Sequence, residues 1–251
     1  MRKWLAPVAV VLVLPGAAGA QLGGGASVEK GKELYAEHCL SCHGPDGSGV
    51  TSTSQPTGAL GVHGLGPGLR GVGALAADFY LTTGYMPLRN PHNQPRHTQS
   101  PFSEQEIASL VAYVASHGKG PAIPTPQPKH SQISRGLQLF TEHCAGCHQV
   151  VAEGGYVPNA VAPPLHRATA VQIAEAVRVG PYLMPKFGER QIADDELNAI
   201  VAYVEWAKHP DDRGGWNLGR IGPVPEGLVT WLMAAVVLIG VCLAIGRRAH
   251  T

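Results

Sequence analysis

An excess of charge of either sign is missing from this chain: its 251 residues carry 19 Lys plus Arg against 18 Asp plus Glu, and only 15% are charged in all. With no large electrostatic field and no run of like charge, nucleic acid is excluded as a partner and no charged tail is marked out. Cysteine and methionine are scarce too, at five and four residues, so any pattern they form carries weight. Glycine (32) and proline (21) are plentiful, which predicts short helices separated by long irregular connections rather than a β-rich or doubly wound fold. The length suits one large or two small domains, with 44% hydrophobic residues to form cores.

Both ends of the chain point to a membrane. Arg2 and Lys3 precede an apolar run from Leu5 to Leu14, and Ala18 and Ala20 stand at the spacing of a secretory cleavage site. Pro7 and Pro15 interrupt a run already short for a bilayer. Residues 1–20 are therefore expected to be a signal peptide, removed after Ala20, with a retained N-terminal anchor as the alternative. Residues 227–246, GLVTWLMAAVVLIGVCLAIG, carry no charge over the length of a transmembrane helix. Arg247 and Arg248 follow at once; the positive-inside rule assigns residues 247–251 to a cytoplasmic tail and residues 21–226 to the outer face of the cell membrane, crossed once. Trp231 fits an interfacial aromatic near the outer end.

Four of the five cysteines fall in two copies of one pattern, EHCLSCHG at residues 37–44 and EHCAGCHQ at 142–149. A Cys-x-x-Cys disulfide closes a tiny loop, adds little stability and gives histidine no reason to follow. A zinc site would have to join pairs 105 residues apart, each with a histidine of its own. Cys-x-x-Cys-His is instead the pattern of c-type haem attachment, in which both thiols bond the haem vinyl groups and the histidine reaches the iron. The sequence thus predicts two covalently bound haem c groups, on Cys39 and Cys42 with His43, and on Cys144 and Cys147 with His148.

The sixth iron position separates electron transfer from catalysis. With Met1 the initiator and Met233 in the apolar span, Met86 in GYMPLRN and Met184 in YLMPKF remain, 43 and 36 residues beyond the two histidines. Methionine alone is more often a core filler, but one per haem motif, each followed by proline, makes ligation the better reading. Thioether ligation raises the potential and closes the iron to substrate. His63, His92, His97 and His166 lie in Gly/Pro-rich polar loops and are expected at the surface.

The two halves repeat. GKELYAEHCLSCHG (31–44) matches GLQLFTEHCAGCHQ (136–149), LGPGL (65–69) answers VAPPL (161–165), and ASLVAYVASHG (108–118) answers NAIVAYVEWAK (198–208). Each copy is expected to open with a helix delivering the haem motif, cross a loop, present methionine and close with an amphipathic helix. Ser103 and Glu106 make a capping-box pattern before Ile107, Leu110, Val111 and Val114, and Leu197, Ile200, Val201 and Val204 repeat that apolar face. Tyr113 and Tyr203 stand at equivalent places, as haem-lining or plain core residues.

With its haem motif, Gly-Pro-x-Leu type loop and Met-Pro loop, each half resembles a class I cytochrome c domain. The whole chain resembles the di-haem cytochrome c subunit of bacterial cytochrome bc complexes, the menaquinol:cytochrome c reductases. The stretches DFYLTTGYMP (78–87), EAVRVGPYLMPKF (175–187) and LGRIGPVPEGL (218–228) carry that match. The resemblance implies an all-α fold: cytochrome c domain 1 over 28–120, a Pro-rich linker over 121–132, domain 2 over 133–209, a juxtamembrane linker over 210–226, then the transmembrane helix. It implies proximal ligands His43 and His148 backed by the loop prolines, distal ligands Met86 and Met184, and no bond-making residues. As partners it implies the cytochrome b subunit and iron–sulfur protein, a terminal oxidase and membrane lipid. A tethered di-haem shuttle, a cytochrome subunit of an oxidase or dehydrogenase, and a di-haem peroxidase are the competing readings.

Overall fold

The computed structural model describes residues 26–51, 64–90, 93–209 and 223–249. The predicted signal peptide, residues 52–63 of the long loop after the first motif, His63, His92 and most of the juxtamembrane linker lie outside the described residues. The chain divides at residues 208 and 209 into two units, the first carrying both repeats.

The first repeat opens with α1 (Val28–His38), whose N-terminus is capped by Ser27 Oγ accepting from the Lys30 amide at 3.0 Å. A one-turn helix α2 (Leu40–His43) follows, then the short antiparallel strands β1 (Val50–Thr51) and β2 (Gly64–Gly66), α3 (Gly73–Thr82) and α4 (Glu104–Ser116). The second repeat restates this order after a single 3-10 turn at His130–Gln132: α5 (Ile133–His143), α6 (Ala145–His148), β3 (Gly155–Val157) paired with β4 (Ala160–Ala162), α7 (Ala170–Val179) and α8 (Asp194–Lys208). The predicted capping box forms at α4, where Glu106 takes the Ser103 amide at 2.9 Å and Ser103 takes the Glu106 amide at 3.4 Å. Ile107, Leu110, Val111 and Val114 are buried as expected, and so are Leu197, Ile200, Val201 and Val204. Full burial of each such side chain contributes about 1.5–3 kcal/mol.

The first and last helices of each repeat cross at a glycine. A Cβ on Gly31 of α1 would lie 2.7 Å from the Ser109 carbonyl carbon of α4, and a Cβ on Gly136 of α5 would lie 2.7 Å from that of Ala199 on α8. Only a residue without a side chain permits this approach.

Two features depart from the pattern expected of the sequence. The loops contain the small hairpins β1–β2 and β3–β4, too short to show an alternation. A third helix, α3 or α7, precedes each methionine. The sequence of α3, GALAADFYLT, is apolar on nearly every side because it packs on α4 and also on α7 of the other repeat; a helix buried on two faces has no single stripe. The repeats are also joined where Gln94 donates from Nε2 to the Val161 carbonyl at 2.8 Å and accepts from the Val161 amide at 3.0 Å. The linker is held at Gln127, whose amide donates to Asn198 Oδ1 of α8 at 2.7 Å.

The second unit contains α9 (Pro223–Ala249), longer at both ends than the expected 227–246. The candidate span Gly227–Arg248 is 22 residues, of which an 18-residue window has a mean hydropathy of 2.7; the span is about 33 Å at 1.5 Å per residue and matched to a hydrocarbon core of about 30 Å. Leu238 and Ile245 are 62% and 63% exposed, and Trp231 is 78% exposed. A helix apolar on all sides, with none of that stretch buried, suits lipid better than water.

Candidate haem-attachment sites

Each Cys-x-x-Cys-His motif straddles a helix break. Cys39 ends α1, with its amide on the Tyr35 carbonyl at 2.8 Å, and its own carbonyl accepts from the Cys42 amide at 3.1 Å and the His43 amide at 2.9 Å. Cys144 makes the same set: its amide on Phe140 at 2.8 Å, and its carbonyl taking Cys147 at 3.1 Å and His148 at 2.9 Å. The three- and four-residue spacings thus place both thiols and the imidazole around one helical turn. After the histidine the chain turns at positive φ, at Gly44 (78°) in the first repeat and Gln149 (59°) in the second.

Both histidines are held by a loop proline, as the resemblance implied. His43 Nδ1 donates to the Pro67 carbonyl at 2.8 Å, and His148 Nδ1 to the Pro163 carbonyl at 3.1 Å. That bond fixes the tautomer and leaves Nε2 as the free donor atom. Burial pushes both imidazoles below the ordinary histidine pKa, against the opposing pull of those carbonyls. A neutral imidazole with a second ring nitrogen already engaged is what an iron ligand requires. The loop reaches this close because Gly66 has no side chain: a Cβ there would lie 2.5 Å from the Cys42 carbonyl oxygen.

The four motif thiols are not joined in disulfides. Burial pushes Cys39 up to about 11 and Cys144 up to about 12, each raised further by its partner cysteine, so neither is poised as an activated nucleophile. The two cysteine pairs lie in separate repeats, and among the described residues no group of three or more His, Cys, Asp or Glu is placed to share a metal ion. Two separated sets of thiols, each with an oriented neutral imidazole, fit two c-type haems.

The methionines lie in loops fixed to the helices that precede them. The Met86 amide donates to the Tyr80 carbonyl of α3 at 3.0 Å, and Thr98 braces the loop from the far side, its amide on the Thr83 carbonyl at 3.1 Å and its hydroxyl on the Gly84 carbonyl at 2.9 Å. The Met184 amide donates to the Pro181 carbonyl at 3.0 Å, and Arg178 of α7 ties down the following segment through the carbonyls of Phe187 and Ile192 and the carboxylate of Asp194. Both side chains are half-buried, and Met184 packs on the core cluster that contains Cys144.

His97 is exposed as expected, whereas His166 is not. Its Nε2 meets the Val151 carbonyl at 3.0 Å and its Nδ1 lies 3.5 Å from Glu153, so it braces the loop after the second motif. The tyrosines divide a task that their equivalent positions concealed. Tyr203 of α8 donates to the Val150 carbonyl at 2.6 Å, while in the first repeat the corresponding bond, to Gly44 at 2.8 Å, comes from Tyr35 of α1. Tyr113 serves as the ring on which Tyr35 packs, with centroids 5.1 Å apart. The sequence signal was present in the Tyr35/Phe140 exchange, since only one ring of each pair needs a hydroxyl.

Comparison with known families matches residues 28–118 to cytochrome c and residues 131–204 to cytochrome c oxidase, cbb3-type, subunit III. Over longer spans the chain is similar to three proteins called cytochrome bc1 complex cytochrome c subunit. That of Corynebacterium diphtheriae is 34% identical over 242 residues, covering 89% of this chain and 82% of that protein. That of Mycobacterium tuberculosis strain H37Rv is 35% identical over 250 residues, covering 96% and 85%. That of Mycobacterium leprae is 33% identical over 250 residues, covering 96% and 82%.

Proposed function

Because the chain belongs to the family of cytochrome bc1 complex cytochrome c subunits, we propose that it is the di-haem electron-transfer subunit of a respiratory quinol:cytochrome c reductase, taking electrons from the iron–sulfur protein and passing them toward a terminal oxidase. The observation that carries this reading is the repetition of one complete attachment set in two cytochrome c domains: two thiols and a histidine on one turn, with Nδ1 bound to a loop carbonyl.

Haem c, when bound, supplies a one-electron iron couple. Cys39 and Cys42 would hold the first haem and Cys144 and Cys147 the second, with His43 and Met86, and His148 and Met184, as the iron ligands. A half-buried thioether ligand would keep small molecules from the iron, which favours a carrier over a peroxidase. The core rings and the bonds from Tyr35 and Tyr203 keep the attachment turns rigid, so little has to rearrange when the charge on a domain changes.

The subunit itself makes no bonds, and its part in the translocase is to relay electrons. α9 crosses the cell membrane with Arg247 and Arg248 on the cytoplasmic side, leaving both domains on the outer face. There it assembles with the cytochrome b subunit and the iron–sulfur protein, beside a terminal oxidase. Tethering replaces diffusional encounter by a high local concentration of partner.

Mild-detergent extraction from the native membrane, followed by haem spectra of whatever co-purifies, tests the assignment. A b-type signal with an iron–sulfur protein is the expected result, and an a-type signal would add the oxidase. Recovery of c-type haem alone would identify a tethered shuttle instead.

A further inference from the structure

The contact between the two haem domains contains a group that neither attachment site uses. Glu175 of α7 has no exposed surface, and neither of its carboxylate oxygens meets an N–H or O–H donor of the described residues. Its ionisable neighbour is another acid, Asp78 of α3, from the other domain. A second carboxylate beside a fully buried one repels it, and a buried carboxylate without a donor loses its hydration with nothing in return. A proton held between them removes both penalties, because a neutral Glu175 becomes a donor and Asp78 an acceptor.

Among the described residues, the cations on the surrounding helices are committed elsewhere. On α7 itself, Arg178 is bound to two carbonyls and to Asp194. On α8, the other helix against α7, Lys208 holds the Ala168 carbonyl and Glu205, Glu196 is paired with Arg135, Asp195 is exposed, and the Tyr203 hydroxyl is on Val150. On α4, which packs against α3, Glu106 closes the N-terminal cap, Glu104 is exposed and Tyr113 packs on Tyr35. Tyr80, on α3, packs with Phe79 and Tyr85.

We propose that Asp78 and Glu175 form a proton-binding site between the two haem domains, so that docking of α3 on α7 takes up one proton and weakens as that proton is lost. Burial first, then the Asp78 charge and hydrogen bond, pushes Glu175 up to about 9, and burial raises Asp78 as well. The folded pKa is above the unfolded one, so the stabilisation is complete below the ordinary carboxylate range and is lost as pH rises toward about 9. Across that window one proton makes the docked state about tenfold less favoured per pH unit. The outer face of a membrane is where pH departs from the cytoplasmic value during respiration, so the interdomain contact would respond to the state of the chain that it serves.

The test uses the full-length, haem-loaded protein in detergent, with Glu175→Gln and Asp78→Asn as variants. Both keep the shape of the side chain, and the amide introduced by Glu175→Gln can still donate to Asp78. Infrared spectra between pH 5 and 10 are expected to show the carbonyl stretch of a buried protonated acid, lost with a midpoint near pH 9 in the parent, absent in Glu175→Gln and lost at lower pH in Asp78→Asn. Hydrogen exchange of α3 and α7, referenced at each pH to α5, is expected to accelerate with pH up to about tenfold per unit in the parent and to lose that dependence in Glu175→Gln. Absence of an acid carbonyl that disappears in Glu175→Gln would overturn the shared proton. Equal pH dependence of exchange in parent and variant would overturn its role in docking. If Glu175→Gln does not fold, an unshifted midpoint in Asp78→Asn refutes the pairing.

Discussion

At the scale of single residues, the haem motif was legible because its spacing is local: three and four positions along one helical turn bring Cys, Cys and His together whatever the rest of the chain does. The methionines were singled out as candidate ligands through scarcity, since only two remained once the initiator and the apolar span were set aside. Their ligation is open to direct measurement. Replacing Met86 or Met184 by His exchanges a thioether for a more strongly donating imidazole, and thioether ligation is what raises a c-type potential. The altered haem is expected to titrate at lower potential, with both haems still covalently attached, and redox titration with covalent-haem staining checks both points. Unchanged potentials in both variants would sink the assignment. Asp78 and Glu175 were not legible: an acid in a helix is ordinarily solvated, and only the meeting of α3 with α7 makes these two neighbours.

At the scale of elements, the closing helices α4 and α8 could be read in advance because each buries one face, and a one-sided helix prints a period on its sequence. Helix α3 escaped notice for the opposite reason. α3 is covered by α4 and by α7, so its apolar residues mark no face. The glycine at each helix crossing was also silent, since its purpose is set by a partner roughly 60 to 80 residues away. Gly136→Ala is expected to destabilise the second domain by about 1–3 kcal/mol, because the new methyl meets the carbonyl group of Ala199 on a neighbouring backbone that cannot rotate aside. That net loss already includes the roughly 1 kcal/mol of helix propensity gained by replacing glycine. Gly188→Ala, whose nearest neighbour would be Gln191 Oε1 at 4.0 Å, serves as the comparison and should change little. Denaturant titration with an unchanged slope isolates the effect as native-state stability.

At the scale of the whole molecule, composition and repetition pointed to the two-domain organisation and the apolar C-terminal segment before any contact was known, because each depends on counting rather than on geometry. What counting could not give was the join between the domains, made by Gln94 on Val161 and by α3 on α7. These contacts lie within residues 26–208, and none of them involves α9. Removal of residues 223–251 therefore leaves every described attachment and interdomain bond in place. The shortened protein is expected to become soluble in the extracytoplasmic compartment, to carry both haems with unaltered spectra, and to lose its recovery with the b-type haem. The reason is quantitative: a tether supplies an effective concentration in the millimolar range, and a transient redox contact that is saturated at that level is empty when the domain is dilute. Haem content by covalent staining and co-purification by spectra separate the two effects. Loss of haem on truncation would mean that α9 is needed for maturation, whereas retained co-purification would mean that the haem domains hold their partners without it.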